Sequence, residues 1–198
     1  MLFLLLACTD EPKDDSATPD ETGPDTSDDT APDDTGGALA VWLPAATSSD
    51  GDPLADRCDW KLDVTYECEN GNPEVRWSGA PEGTVAFALV FDDPDAGEFD
   101  HWAIVNVPAD ETGIEAGVSG QGLGTDLPEG SYELENGFGF TGYLGSCPPA
   151  PHVYRWRLWA LSTALDEGLS RFSQVERQAE ERALGVAETC HIYGPKAE

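Results

Sequence analysis

The stretch "TVAFALVFDDPDAGEFDHWAIVNVP", Thr84 to Pro108, decides the fold. From Val85 to Phe91 every position is apolar, the pattern of a strand covered on both faces. Asp93-Pro94-Asp95 then sets two carboxylates on a rigid turn. Directly after it, His101 opens a second apolar run that continues to Val107. Two carboxylates and a histidine at the mouth of a buried strand are costly to place there without a purpose.

Further short apolar runs lie between turn signals on either side: "LAVWLP" (39–44), "KLDVTYEC" (61–68), "EVRW" (74–77) and "HVYRWRLWAL" (152–161). Their spacing predicts a mainly β domain. In 152–161 the two-residue period puts His152, Tyr154, Trp156, Leu158 and Ala160 on one face, with Arg155 and Arg157 on the other, where they read as solvated. One helix is expected late in the chain, where Ser173 and Glu176 form a capping box, "QVERQAEERAL" supplies helix formers and Gly185 the stop. A short strand, "AETCHIY", follows it. The Gly-rich region from Asp110 to Gly142 reads as long loops.

Charge divides the chain. Ten basic residues stand against 39 acidic ones, a formal charge of −29, which repels nucleic acid and anionic membrane surfaces. Residues 9–37, "TDEPKDDSATPDETGPDTSDDTAPDDTGG", hold 11 acids, one Lys and nothing aliphatic larger than Ala. Such a segment cannot bury enough apolar surface to offset its ordering entropy, so it reads as a disordered acidic tether. Before it, "MLFLLLAC" is wholly apolar and resembles a bacterial lipobox ending at Cys8, the residue that takes the lipid. The run is too short for a full signal or a membrane span and lacks a basic start, as expected of a partial signal. The expected organisation is a partial lipoprotein signal over 1–8, a tether over 9–37 and a folded domain over 38–198. The only membrane attachment expected is through the lipid.

With Cys8 set aside, Cys58, Cys68, Cys147 and Cys190 remain. An even number in an exported chain favours two disulfides, with three possible pairings. No C-x-x-C pair offers zinc spacing, and no metal or other cofactor is expected.

The chain has three histidines, His101, His152 and His191, and two of them open apolar strands beside turn-forming residues. Strand ends are where loops collect and sites are built. Asp93 and Asp95 on their turn, His101, and the Gly/Pro-stiffened "GYLGSCPPAPHVY" leading into His152 and Tyr154 together make a candidate polar pocket. The competing reading is that each histidine merely satisfies nearby backbone carbonyls.

The stretch "WSGAPEGTVAFALVFDDPDAGEFDHWAIVNVP", followed in order by "GFTGYLGSCPPAPHVYRWRLWAL", resembles the phosphatidylethanolamine-binding protein family, in its bacterial YbhB/YbcL, Raf kinase inhibitor-like branch. The resemblance covers about Trp77 to Leu161. It implies an antiparallel β-sandwich with a few peripheral helices, including one near the C-terminus. It also implies a pocket at one end of the sheets for a small phosphate-like anion or a phospholipid headgroup. By position, the family's D-P-D aspartates fall on Asp93 and Asp95, its pocket histidine on His101, its P-P element on Pro148 and Pro149, and its H-x-Y pair on His152 and Tyr154. Two departures stand out: Gly97 where many members have proline, and Val153 where they have arginine.

Three functional classes follow. The first is an envelope-anchored binding module for small anions or headgroups. The second is an inhibitor or interaction protein acting on an envelope protein partner. The third, disfavoured by the lack of H-E-x-x-H or G-x-S-x-G, is a hydrolase using a metal held by the pocket or Cys147 as nucleophile. From Ala38 onward 28 acids against 9 basic residues oppose tight docking on anionic lipid.

Overall fold

The computed structural model describes residues 37–62, 71–120 and 126–194. The lipobox, most of the tether and Cys68 lie outside the described residues. Two sheets carry the fold. The smaller joins β1 (Ala40–Trp42), β4 (Val75–Ser78) and β7 (Gly113–Ile114) in the order β1-β4-β7. The larger is built around three long strands, β5 (Ala86–Asp93), β6 (Phe99–Pro108) and β9 (His152–Leu161). With β2 (Thr47–Ser48), β3 (Trp60–Lys61), β8 (Tyr132–Glu133) and β10 (Ala183–Tyr193), its order is β2-β3-β10-β9-β5-β6-β8. All pairings are antiparallel except β3 with β10, which are parallel at Lys61 and Ile192.

Strand β5 lies in the middle of the larger sheet and is buried at all eight positions, as its unbroken apolar run requires. Its two faces differ in size. Phe87, Leu89 and Phe91 point between the sheets, where they join Val75 and Trp77 from β4 and Trp156 and Leu158 from β9. Ala86, Ala88 and Val90 point the other way. Those small side chains leave room for the helix α1 (Phe172–Arg182), which buries Phe172, Val175, Gln178 and Ala179 at three- and four-residue spacing.

Three sequence expectations need correction. The helix starts after Arg171, with no side-chain cap bond, so Ser173 makes no capping box; Glu176 turns instead to Arg157 on β9. The helix also stops earlier than expected, at Arg182, because Ala183 is already extended and begins the eleven-residue strand β10. Gly185 therefore lies in that strand, at a register irregularity, where a Cβ would meet Pro81 Cγ at 3.0 Å. Finally, Arg155 and Arg157 are partly buried in ion pairs, not simply solvated. Both pair with Asp92, and Arg155 also reaches Glu98. The described parts of 110–142 are mainly loop, as expected, but contribute the two-residue strands β7 and β8.

Candidate functional site

Two irregularities aim the site residues. Phe91 pairs with Trp102 but Asp92 pairs with Asp100, so His101 is the extra residue of a bulge in β6. A bulge lets two successive side chains face one side. Here Trp102 enters the inter-sheet core while His101 packs against Phe91 and Tyr154 at its edge, with ring centroids 4.9 and 5.3 Å away. The second irregularity is the turn after β5, a single 3-10 turn over Pro94–Ala96. The Asp93 carboxylate caps it by accepting from the amides of Asp95 (2.9 Å) and Ala96 (3.1 Å). Gly97 closes the turn at φ 73°, a conformation that proline cannot adopt.

Asp93 is 2% exposed and on the inter-sheet side of β5. Its second oxygen, Oδ2, lies 2.7 Å from His152 Nδ1. The imidazole Nδ1–H donates to the carboxylate, leaving Nε2 as the free nitrogen of a partly exposed ring. His101 is arranged alike: Nδ1 lies 2.9 Å from the Leu144 carbonyl and donates to it, leaving Nε2 open. Burial pulls the His101 pKa down, against the smaller opposing effect of that hydrogen bond and the nearby aspartates. Tyr154 lies between the two histidines, its centroid 6.2 Å from His152. Burial, then the Asp93 charge, pushes its pKa well up, so its hydroxyl keeps its proton. Asp93, His101, His152 and Tyr154 thus come together at one end of the large sheet.

The other two expected residues stand apart from that group. Asp95 accepts from Arg57 on Oδ1 (2.6 Å) and from the Val153 amide on Oδ2 (3.0 Å). Arg57, first, and the Val153 hydrogen bond hold its carboxyl below the usual range. Asp95 therefore ties the turn to β9 and to the 49–58 loop. Pro149 lies exposed on the loop before β9.

Sequence reasoning missed the floor of the site. His191 is wholly buried and pairs across the sheet with Tyr154, whose ring it stacks on at 5.0 Å and 10°. Its Nδ1 accepts from Trp156 Nε1 (2.9 Å), which leaves Nε2–H to donate to Ser146 Oγ (3.2 Å). Burial pushes its pKa down to about 3, so it is neutral and structural. Only the β9–β10 register brings it under Tyr154, and no local pattern carries that register.

The disulfide alternatives narrow to Cys58–Cys190, which joins residues 132 apart and pins the loop carrying Arg57 next to His191. Cys147 is also disulfide-bonded, which removes it as a nucleophile. Among the described residues no group of three His, Cys, Asp or Glu is arranged to hold a metal ion. Surface cavities of about 410 Å³ beside Tyr132 and Glu167 and about 230 Å³ beside Arg76 and Glu115 touch none of the four clustered residues. The convergence of titratable side chains marks the site.

The phosphatidylethanolamine-binding protein family model matches residues 47–194. The UPF0098 protein YbcL of Escherichia coli is 43% identical over 106 residues, which is 50% of this chain and 57% of YbcL. A UPF0098 protein of Methanothermobacter thermautotrophicus is 41% identical over 140 residues, 67% of this chain and 90% of its own. "Putative lipoprotein LppC" of Mycobacterium tuberculosis is 39% identical over 111 residues, 52% of this chain and 51% of its own. The crystal structure of E. coli YbcL aligns with a TM-score of 0.68 at 28% identity, covering 81% of this chain and all of that one. The chain belongs to the phosphatidylethanolamine-binding protein family. Within it, the similarity to YbcL, and to YbhB at 36% identity over 110 residues, places it in the bacterial YbhB/YbcL branch.

Proposed function

We propose that the domain binds a small phosphate-like anion, free or as a headgroup, between His101 and His152. One observation carries this reading: both imidazoles commit Nδ1–H to an internal acceptor and leave Nε2 uncommitted beside a protonated tyrosine hydroxyl. A neutral Nε2 can only accept, and repels an anion's oxygens; once protonated it becomes a charged donor. Anion binding is thereby coupled to proton uptake at an open imidazole Nε2. Binding strengthens as pH falls into the histidine range.

Isothermal titration with phosphate and phosphoethanolamine at pH 6 and pH 8 tests the site. Saturable binding that tightens at pH 6 and is lost in His101→Ala and His152→Ala is expected. A folded wild type that binds neither compound at pH 6 would refute it.

We also propose that the domain works outside the cytoplasmic membrane, tethered through a lipid on Cys8. The L-L-A-C sequence, the similarity to a relative named as a lipoprotein, and a disulfide of the kind that persists in oxidising compartments support this reading. Intact mass of the membrane-extracted protein checks it: a diacylglyceryl addition at Cys8 is expected, and an unmodified Cys8 would exclude the anchor.

A further inference from the structure

Phe138 is, at 72%, the most exposed large apolar side chain among the described residues. Its position is fixed by a well-bonded loop. Buried Asn136 accepts from the Phe138 amide through Oδ1 (3.0 Å) and donates through Nδ2 to the Gly142 carbonyl (2.9 Å). The Gly137 amide donates to the Asp100 carbonyl on β6 (2.8 Å). A Cβ on Gly137 would lie 2.5 Å from the Phe99 ring, so glycine here lets the loop close onto that ring. A loop built this firmly to hold a phenyl ring in water gains nothing from the ring by burial.

The ring leads towards the site. Phe138 meets Phe99 edge-on at 5.4 Å, and Phe99 meets His101 edge-on at 5.0 Å. An aromatic path therefore runs from the surface to the imidazole whose Nε2 is open. An anion held at that nitrogen would extend its organic group along two phenyl faces. We infer that Phe99 and Phe138 form an apolar subsite of the anion pocket, selecting phosphomonoesters with an alkyl group over free phosphate and over polar esters. The inference rests on the anion-site reading above and specifies the ligand class for it.

Titration of the full chain at pH 6 with inorganic phosphate, methyl, butyl and hexyl phosphate, and phosphoethanolamine separates the two. Each methylene seated on the rings should tighten binding about threefold, so butyl phosphate should bind at least about tenfold tighter than methyl phosphate. Phosphoethanolamine should stay with methyl phosphate. Phe138→Ser should cut the chain-length gain to what Phe99 alone supports while leaving inorganic phosphate within about twofold, and Phe138→Leu should keep more of the gain. A flat series with inorganic phosphate still bound, a gain undiminished by Phe138→Ser, or phosphoethanolamine binding tightest of all would overturn the subsite alone. Absence of binding by inorganic phosphate and every ester would overturn the anion site and the subsite with it.

Discussion

Asp92 and Asp93 are neighbours in sequence, each 2% exposed, and end the same strand on opposite faces. Asp92 faces α1. It receives Arg155 through two nitrogens (3.0 and 2.6 Å) and Arg157 through a third (2.8 Å), and Arg157 continues to Glu176 on the helix. Asp93 faces the inter-sheet core. It receives two turn amides, one imidazole and the Tyr154 hydroxyl. Guanidinium groups stay charged at any working pH, so the first carboxylate closes a permanent ion-pair network that fastens helix to sheet. An imidazole can be neutral or charged, so the second carboxylate has a partner without a permanent charge. Similar burial and identical chemistry give one residue to the fold and the other to the site, and strand parity decides which.

The largest expected effect falls on the framework next to Asp93. Replacing both Cys58 and Cys190 by Ala should cost about 4 kcal/mol in chemical denaturation, since the bridge closes a long loop. It should also weaken phosphate binding by freeing Arg57 from Asp95. Next is Asp92→Ala, which leaves two partly buried guanidiniums with fewer partners and should cost about 3 kcal/mol without changing phosphate affinity. Asp93→Asn should show the reverse. About 1 kcal/mol of stability is lost with the weakened turn cap and histidine bond, while phosphate binding at pH 6 falls at least about tenfold. If Asp92→Ala abolished binding and Asp93→Asn spared it, the division between the two faces would be wrong.

The two faces should also titrate in opposite directions. His191, beneath the site, has its pKa lowered to about 3. The unfolded chain therefore takes up its proton first, and stability falls as pH drops from about 6.5 towards 3. Asp100, opposite Asp92, is raised to about 6, by burial first and then by Glu176, Asp92 and Glu98. The folded chain protonates first there, so that stability is present below about 4 and is lost as pH rises through 6. Asp100→Asn should stabilise the protein at pH 8 by about 1 kcal/mol and leave a steeper acid limb, both visible in denaturation midpoints from pH 4 to 8. Asp100→Asn with an unchanged profile would show that the arginines already neutralise that cluster.

Much of this contrast was legible in the sequence. The apolar run to Phe91, the alternation of 152–161 and the D-P-D turn are local patterns, and each became the strand or turn it indicated. The clustering of His101, His152, Tyr154 and Asp93 was legible because strand ends adjoin turns. Asp95 was grouped with them by adjacency, yet its oxygens serve Arg57 and Val153, which depends on where a distant loop packs. His191 and the Cys58–Cys190 bridge depend on the pairing of β10 with β9, a long-range register that local sequence does not encode. Arg155 and Arg157 were read as solvated because parity names a face but not what covers it, and here α1 supplies Glu176. The Ser173–Glu176 capping box failed because the helix begins at Phe172, which puts Ser173 inside its first turn.

The central claim is that the site takes up a proton when it takes up an anion. Sulfate serves better than phosphate here because it does not titrate near neutrality, so any proton taken up belongs to the protein. Calorimetric titration of sulfate at pH 7, in two buffers of different ionisation enthalpy, gives the proton count directly. Net proton uptake by the wild type is the expected result. Sulfate binding with no proton uptake in the wild type would contradict it.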